Sequence, residues 1–328
     1  MVDAHDSKSC LERGESSSLS SGTHMGKTKL VVILGPTASG KSDLAVSLAH
    51  KFNGEVISAD SRQVYKGLNI GTGKITKREM RGVKHHLLDV ADPKKQFTVS
   101  DFVKLTNKTI VQIVNKGKLP IICGGTGFYI DALLGDKQVP EVPPNLKLRA
   151  QLENKSVEKL FEILKKLDPE RASNIDAKNP RRLIRAIEIC KAMGPNSASR
   201  FAQVTLGKKV SDYSVLKIGI KIEDEESKKR INTRLEKRLK QGMVREAKRL
   251  HASGLSYKRM RELGLEYRRL ADFLTGKISK TELTSLLQKE IWHYAKRQMT
   301  WFKKDTHIVW LPIKISRIEK EILIFLRK

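Results

Sequence analysis

The sequence predicts an α/β protein: a parallel-sheet core of the phosphate-loop (P-loop) type flanked by helices, with a helical insert domain and a basic helical C-terminal half. Three observations carry that reading. An apolar run at 30–34, Leu-Val-Val-Ile-Leu, leads into Gly35-Pro36-Thr37-Ala38-Ser39-Gly40-Lys41-Ser42, which fills every fixed position of G-x-x-x-x-G-K-[ST]. Leu44, Ala45, Leu48 and Ala49 follow at helical spacing, so the context is buried strand, loop, helix. Beyond a Pro-rich break at 140–144, helical patterning rich in Lys and Arg dominates.

The loop has a physical purpose. Gly35 and Gly40 let the backbone turn its N–H groups inward around phosphate oxygens, and the helix behind contributes roughly half a positive charge. Lys41 supplies a point charge, and the Ser42 hydroxyl can hold Mg²⁺. These features call for a di- or triphosphate. They do not require it to belong to a nucleotide.

At 328 residues the chain is long enough for one large α/β domain and a smaller one. Lys+Arg 64 against Asp+Glu 36 gives a net charge of +28. That excess points to a polyanionic partner, with nucleic acid ahead of a membrane surface; solvated lysine faces are the plainer alternative. Cys10, Cys123 and Cys190 form no C-x-x-C pair, so neither a disulfide framework nor a zinc site is implied, and a reducing cytoplasm is expected. No apolar run is long enough to span a bilayer.

Residues 1–24 are Ser-, Gly- and charge-rich and end in a Gly-Thr-His-Met junction. They read as an expression tag or a disordered arm, with Met25 as the expected start. Residues 25–140 form the expected catalytic core. A short strand at 55–58 runs into Ala59-Asp60-Ser61-Arg62-Gln63. An acid just past a strand's C-terminal end faces the ligand crevice of a parallel sheet. Asp60 could hold Mg²⁺ through water or act as a general base; an Asx turn or helix cap would also account for it. His85 and His86 are adjacent, so on a strand they point to opposite faces and form a polar network rather than a chelate. A helix is expected over 101–116 and a buried strand over 119–123, ending in Gly124-Gly125-Thr126-Gly127. This second Gly-rich strand end should lie beside the first and bring Thr126 near the ligand. It carries no terminal acid, so an ordinary nucleoside triphosphatase layout is incomplete.

Residues 141–200 are the expected insert domain, helical over 145–193, with a loop expected over 194–209. The insert holds Arg149 and the cluster Arg181-Arg182-Leu183-Ile184-Arg185, where Arg181 and Arg185 share a helix face. That face is either solvated or in contact with phosphate. Residues 201–328 complete the core: a strand over 215–222, basic helices over 225–251, 256–275 and 281–304, a strand over 307–311 and a closing helix from 317. Trp292, Tyr294 and Trp301 lie among Lys and Arg, where aromatics can stack on bases while cations hold phosphates; at helical spacing about half are expected to be core.

Six blocks together resemble the tRNA dimethylallyltransferase (tRNA isopentenyltransferase) family, bacterial type. They are GPTASGKS from Gly35, ISADSRQVY from Ile57, HHLLD from His85, GGTGFYI from Gly124, NPRRLIRAIE from Asn179 and YAKRQMTWF from Tyr294. The family moves a dimethylallyl group from dimethylallyl diphosphate to the exocyclic amine of the adenosine just 3′ of the anticodon. The resemblance therefore implies a tRNA anticodon stem-loop and dimethylallyl diphosphate as partners, Mg²⁺ as cofactor and no membrane; a monomer is expected. By motif it implies that Asp60 is the base, that Thr126 bonds the reacting region and the diphosphate, and that residues 35–42 bind the diphosphate. It further implies that Arg230 reaches the diphosphate from the helical side. Ser61, Arg62 and Gln63 would touch the target nucleotide, and Arg149, residues 181–185, Arg261 and Arg268 would hold the anticodon arm. Phe128 stands where the family usually has leucine, and Gly264-Leu265-Glu266-Tyr267 replaces a common Gly-Tyr pair, which puts the contacts over 261–268 in doubt. The readings that compete are an isopentenyltransferase acting on free AMP or ATP, an RNA-binding phosphate-loop kinase or triphosphatase, and a non-catalytic RNA-binding module.

Overall fold

Alternate residues of the first strand go to two different cores, which is why the whole run is apolar. The computed structural model describes residues 27–136, 140, 142–203 and 213–328; the expectation for residues 1–24 lies outside them. In β1 (Thr28–Leu34), Leu30, Val32 and Leu34 face one layer, while Val31 and Ile33 face the other. Each of these five is at most 1% exposed, as a parallel strand covered on both faces must be.

The strands are β1, β2 (Gly54–Ser58), β3 (His85–His86), β4 (Leu119–Gly124), β5 (Tyr213–Ile220) and β6 (Val309–Leu311), in the order β3-β2-β4-β1-β5-β6. Every pairing is parallel. One face is packed by α1 (Lys41–Lys51) and the closing α15 (Ile315–Arg327), through Leu44, Leu48, Ile318 and Ile322. The other is packed by α3 (Val99–Val114) and α4 (Gly127–Leu133), through Phe102, Ile110, Tyr129 and Ile130. α2 (Lys77–Met80) is one turn held by a capping box from Thr76 to Glu79.

The register places the functional edge. Leu34 pairs with Gly124, and Ser58 pairs with Cys123. The C-terminal ends of β1, β4 and β2 are therefore level, and the turns after all three open on one side. β2 and β4 are also tied past their ends: Ala59 N–H donates to the Cys123 carbonyl (2.8 Å), and Thr126 N–H donates to the Ala59 carbonyl (3.2 Å). A Cβ at Gly124 would run into that Ala59 carbonyl, so only glycine permits the approach.

Between β4 and β5 lie α5 (Leu146–Glu153), α6 (Val157–Leu167), α7 (Pro169–Asn174), α8 (Pro180–Met193) and α9 (Ser197–Gln203). They share an apolar core of their own, with Leu152, Leu160, Leu164, Leu183 and Ile187 buried in it. The loop expected over 194–209 is corrected in part, because 197–203 is helix. Its start is captured by the rest of the insert: Asn196 N–H donates to the Leu167 carbonyl, and the buried Asp168 accepts from Ser199 N–H (2.6 Å). Those partners are too far off in sequence for local pattern to reveal. Residues 204–212 lie outside the described residues.

Between β5 and β6 lie α10 (Asp224–Lys240), α11 (Met243–Ala252), α12 (Tyr257–Leu263), α13 (Leu265–Leu274) and α14 (Lys280–Phe302). Their inner faces, Leu235, Met243, Met260, Tyr267, Leu270 and Leu287 among them, pack with Val64, Tyr65 and Leu68 from the segment after β2. The basic half is thus fixed to the core beside Asp60.

The histidine pair behaves as its alternation predicts. His86 Nε2 meets Glu55 Oε2 at 2.7 Å, while His85 Nδ1 pairs with the Val83 carbonyl at 2.9 Å. Glu55 is buried and also meets Lys118 and Lys116. Burial alone would push its carboxyl up, but the bonds from His86, Lys118 and Lys116 outweigh that and hold it at about 2, against an ordinary 4.5. A lowered folded-state pKa gives stability that is full above the ordinary value and lost as pH falls through the folded one. Acid titration of the unfolding free energy should therefore show a loss between about pH 4.5 and pH 2 that Glu55→Gln flattens.

Candidate active site

The phosphate loop sits at the level strand ends, with α10 and α14 leaning over it. Its Lys41 ammonium donates to the Pro36 carbonyl at 3.0 Å. Burial lowers the Lys41 pKa; Cys123 and Asp60 oppose that shift, and Arg234 adds to it. Burial holds the neighbouring Cys123 thiol up at about 11, Lys41 opposing and Asp60 adding. That sulfur therefore stays a protonated, poorly nucleophilic wall.

Two cavities share this loop. The first, about 430 Å³, is bounded by Ala38, Gly40, Lys41 and Ser42 on one side and by Arg230, Arg234 and Arg238 of α10 on another. The segment 69–76 closes the third side. The second is bounded by Thr37, Lys41, Ser42, Asp60 and Gln63, with Tyr294 and Gln298 of α14. Lys41, Ser42 and Arg234 line both. A diphosphate in the first cavity therefore lies next to whatever fills the second.

Asp60 heads the turn after β2. Its Oδ1 accepts from Arg62 N–H (2.8 Å) and Gln63 N–H (3.2 Å). The Asx turn and the chemical role are thus compatible, because one oxygen fixes the carboxylate and Oδ2 is left for chemistry. Thr126 Oγ1 accepts from Ser61 N–H at 3.1 Å, which sets the second Gly-rich turn against the Asp60 turn. Arg62 donates back to the Ser61 carbonyl (3.2 Å).

Arg230 stands over the loop with its Nε on Glu226 (2.6 Å). Arg234, one turn on, was not among the residues singled out in the sequence. Its NH2 donates to the Gly73 carbonyl (2.8 Å), and it borders both cavities. The signal was present in Arg230-Ile-x-x-Arg234, whose i, i+4 spacing puts both guanidiniums on one helix face. Gln298 was also missed as a site residue. It accepts from Thr37 N–H (2.9 Å) and donates to the Gly125 carbonyl (2.8 Å), bridging the two Gly-rich turns. Tyr294 lies one turn before it, beside Thr126 and Asp60; burial, then Asp60, raises its pKa, so its hydroxyl stays protonated.

The remaining residues named in the sequence are more dispersed. Gly35, Pro36 and Ser39 belong to the loop backbone, and Ser39 is fully buried. Arg62 and Arg268 approach one point, each with its NH2 3.9 Å from where a Gly264 Cβ would stand. Arg181 and Arg182 are exposed at the start of α8. Five more of the named residues have partners within the chain. Leu183 and Ile184 are buried in the insert core, because they carry its apolar face. Arg149 and Arg185 are turned onto the buried Glu188, Arg149 with two nitrogens at 2.9 Å and Arg185 at 2.6 Å. A carboxylate out of water requires such partners. Arg261 is similarly engaged with Asp272 (2.8 Å) and Thr275 (3.0 Å).

A phosphate loop on an all-parallel sheet, opening beside a chamber lined by the Asp60 carboxylate and several hydroxyls, suits a group transferase that activates a phosphorylated donor. The chain belongs to the IPP transferase family, whose model matches residues 63–305. It is 40% identical over 286 residues to a tRNA dimethylallyltransferase of Anoxybacillus flavithermus, covering 87% of this chain and 90% of that one. A relative of the same description from Halalkalibacterium halodurans is 38% identical over 90% of this chain and 95% of its own. Among solved structures, a tRNA isopentenylpyrophosphate transferase of Bacillus halodurans aligns over 92% of this chain and 97% of its own, with TM-score 0.69 and 36% identity. A eukaryotic dimethylallyltransferase acting on tRNA aligns with TM-score 0.71 and 27% identity over 87% of this chain and 74% of that one.

The Gln298 bridge yields a prediction. Gln298→Leu leaves a Thr37 N–H and a Gly125 carbonyl without their partner. It should lower the unfolding free energy by about 2–4 kcal/mol in urea titration, and calorimetry should show weaker inorganic diphosphate binding.

Proposed function

We propose that this protein is a tRNA dimethylallyltransferase that alkylates the exocyclic N6 of the adenosine just 3′ of the anticodon, with dimethylallyl diphosphate as donor and inorganic diphosphate as product. One observation carries this most directly: Lys41, Ser42 and Arg234 are shared by a cationic cavity and by the chamber that holds Asp60. That arrangement suits a leaving group gripped on one side and a base presented from the other.

The amine nitrogen forms a bond to the allylic carbon as the carbon–oxygen bond to diphosphate breaks. The bonding pair leaves on the diphosphate oxygen. Loop amides, Lys41, Arg230 and Arg234 stabilise the charge that grows there. Arginine suits two of these positions because its fork meets phosphate oxygens in a fixed geometry. The proton of the amine passes to Asp60, whose Oδ1 is anchored by the Arg62 and Gln63 amides. Thr126, whose Oγ1 accepts from Ser61 N–H, would donate its O–H to the diphosphate oxygen that leaves. Ser61, Arg62 and Gln63 border the flipped base; extruding it costs little because anticodon-loop bases are unpaired.

Among the described residues no three of His, Cys, Asp and Glu cluster as metal ligands. Ser42, with Asp60 in the same cavity, offers hard oxygen donors that suit Mg²⁺ shared with the ligand's phosphate oxygens. Bound there, the ion would neutralise part of the leaving charge. In this reading the exposed Arg181, Arg182 and Arg268 would grip phosphates of the anticodon arm, while Arg149 and Arg185 brace the insert through Glu188 and Arg261 pairs with Asp272. The proposed acting form is the monomer, because the phosphate loop, Asp60 and Arg234 come from one chain. No helix among the described residues is long and apolar enough to cross a membrane, and the free thiols suit a reducing cytoplasm.

The deciding experiment is mass spectrometry of a tRNA anticodon stem-loop after incubation with dimethylallyl diphosphate, with AMP as the competing acceptor. Replacement of one hydrogen of the RNA adenosine by a dimethylallyl group is the expected result; transfer to AMP alone would overturn it. Asp60→Asn should lower kcat by about 10²–10⁴-fold in single-turnover assays, with RNA affinity little changed. Arg182→Ala should weaken RNA binding and reduce the salt slope by about 1 in filter-binding titrations.

A further inference from the structure

We infer that Glu246, on α11 and outside both cavities, is a positioning residue for the donor's diphosphate, acting through the turn 69–74 and Arg234. The inference rests on the function proposed above and extends it to a residue with no contact to the reacting groups.

Glu246 is 3% exposed and faces four donors. Its Oε2 accepts from Asn69 N–H (3.0 Å) and Ile70 N–H (2.8 Å), and its Oε1 from Gly71 N–H (2.9 Å) and Tyr267 O–H (2.7 Å). Three consecutive amides on one carboxylate fix the path of the segment beyond what a turn needs. The turn then closes on itself, since Gly73 N–H donates to the Ile70 carbonyl (3.0 Å) and Lys74 N–H to the Asn69 carbonyl (2.9 Å). With the amides spoken for, the carbonyls point to α10, where Gly71 O accepts from Arg238 NH1 (2.9 Å) and Gly73 O from Arg234 NH2 (2.8 Å). Arg234 carries the outcome to the site, because it lines both cavities and lies close enough to Lys41 to lower its pKa.

A long arginine side chain spends entropy when held in one rotamer. Glu246 fixes residues 69–71, the turn they start carries the Gly73 carbonyl, and that carbonyl holds the Arg234 guanidinium over the loop before any ligand arrives. Preorganised cations stabilise leaving charge without reorganising at the moment of reaction. Glycine is favoured at 73, where φ is +59° and a Cβ would push the Arg234 guanidinium aside.

Glu246→Gln tests this, because its carboxamide nitrogen is a donor facing donors. We expect the KM for dimethylallyl diphosphate to rise about tenfold, as for the loss of a charge-assisted contact. The inhibition constant of inorganic diphosphate should rise by a similar factor, with tRNA affinity within about twofold. In an Arg234→Ala background the same substitution should change either constant by less than about twofold, since both act through one group. Unchanged constants in the single variant, or a full effect without Arg234, would overturn the inference. Should Glu246→Gln not fold, Gly73→Ala decides, with the same rise expected and an unchanged diphosphate constant counting against. Diphosphate binding is read by calorimetry without turnover. Failure of the wild type to prenylate tRNA therefore strikes at the proposed function, and failure of the variants at this inference alone.

Discussion

The backbone of Ala59 is the constraint from which the site follows. Its N–H and C=O both bond across to the end of β4 and the turn beyond, to Cys123 and Thr126. Asp60 begins one residue later, so the distance between its turn and the Thr126 turn is set by backbone geometry and not by flexible side chains. The contact exists because Gly124 has no Cβ to block it. β4 in turn pairs with β1, which delivers the phosphate loop at the same level. Three turns from distant parts of the sequence are thereby locked to one edge of one sheet.

The basic half serves two physical purposes, and burial separates them. Arg234 and Arg238 are held inward on the carbonyls of Gly73 and Gly71, and Arg238 also pairs with Glu266. Arg149 and Arg185 surround Glu188. Buried or half-buried guanidiniums of this kind are fixed at the cost of desolvation and need partners. Arg181, Arg182 and Arg268 are exposed. The large net charge is thus partly structural, and counting cations overstates the surface that faces RNA.

Some of the site was legible residue by residue. The phosphate loop, Asp60 and Thr126 each follow a strand end, so their common side of the sheet could be read from spacing. Arg234 and Gln298 escaped notice because each acts through a partner far away in the chain, Gly73 for one and Thr37 with Gly125 for the other. The shared partner of Arg149 and Arg185 was hidden for a similar reason. Nothing near them in sequence says that Glu188 is buried, and a helical face looks the same whether it meets solvent or a carboxylate.

Local order was therefore determined by the sequence alone. Alternating burial made β1 a two-sided strand, G-x-x-x-x-G-K-S made a phosphate cradle, and helical periodicity placed the insert and the basic half. The six motif blocks also pointed to the family. Only the tertiary structure decided which cations face inward, which turns touch, and how far the helix over 197–203 extends into an expected loop. The reason is that burial and hydrogen-bond partnership are relations between distant segments. A short-range pattern encodes which side chains a segment offers, and the packed sheet chooses which of them are taken.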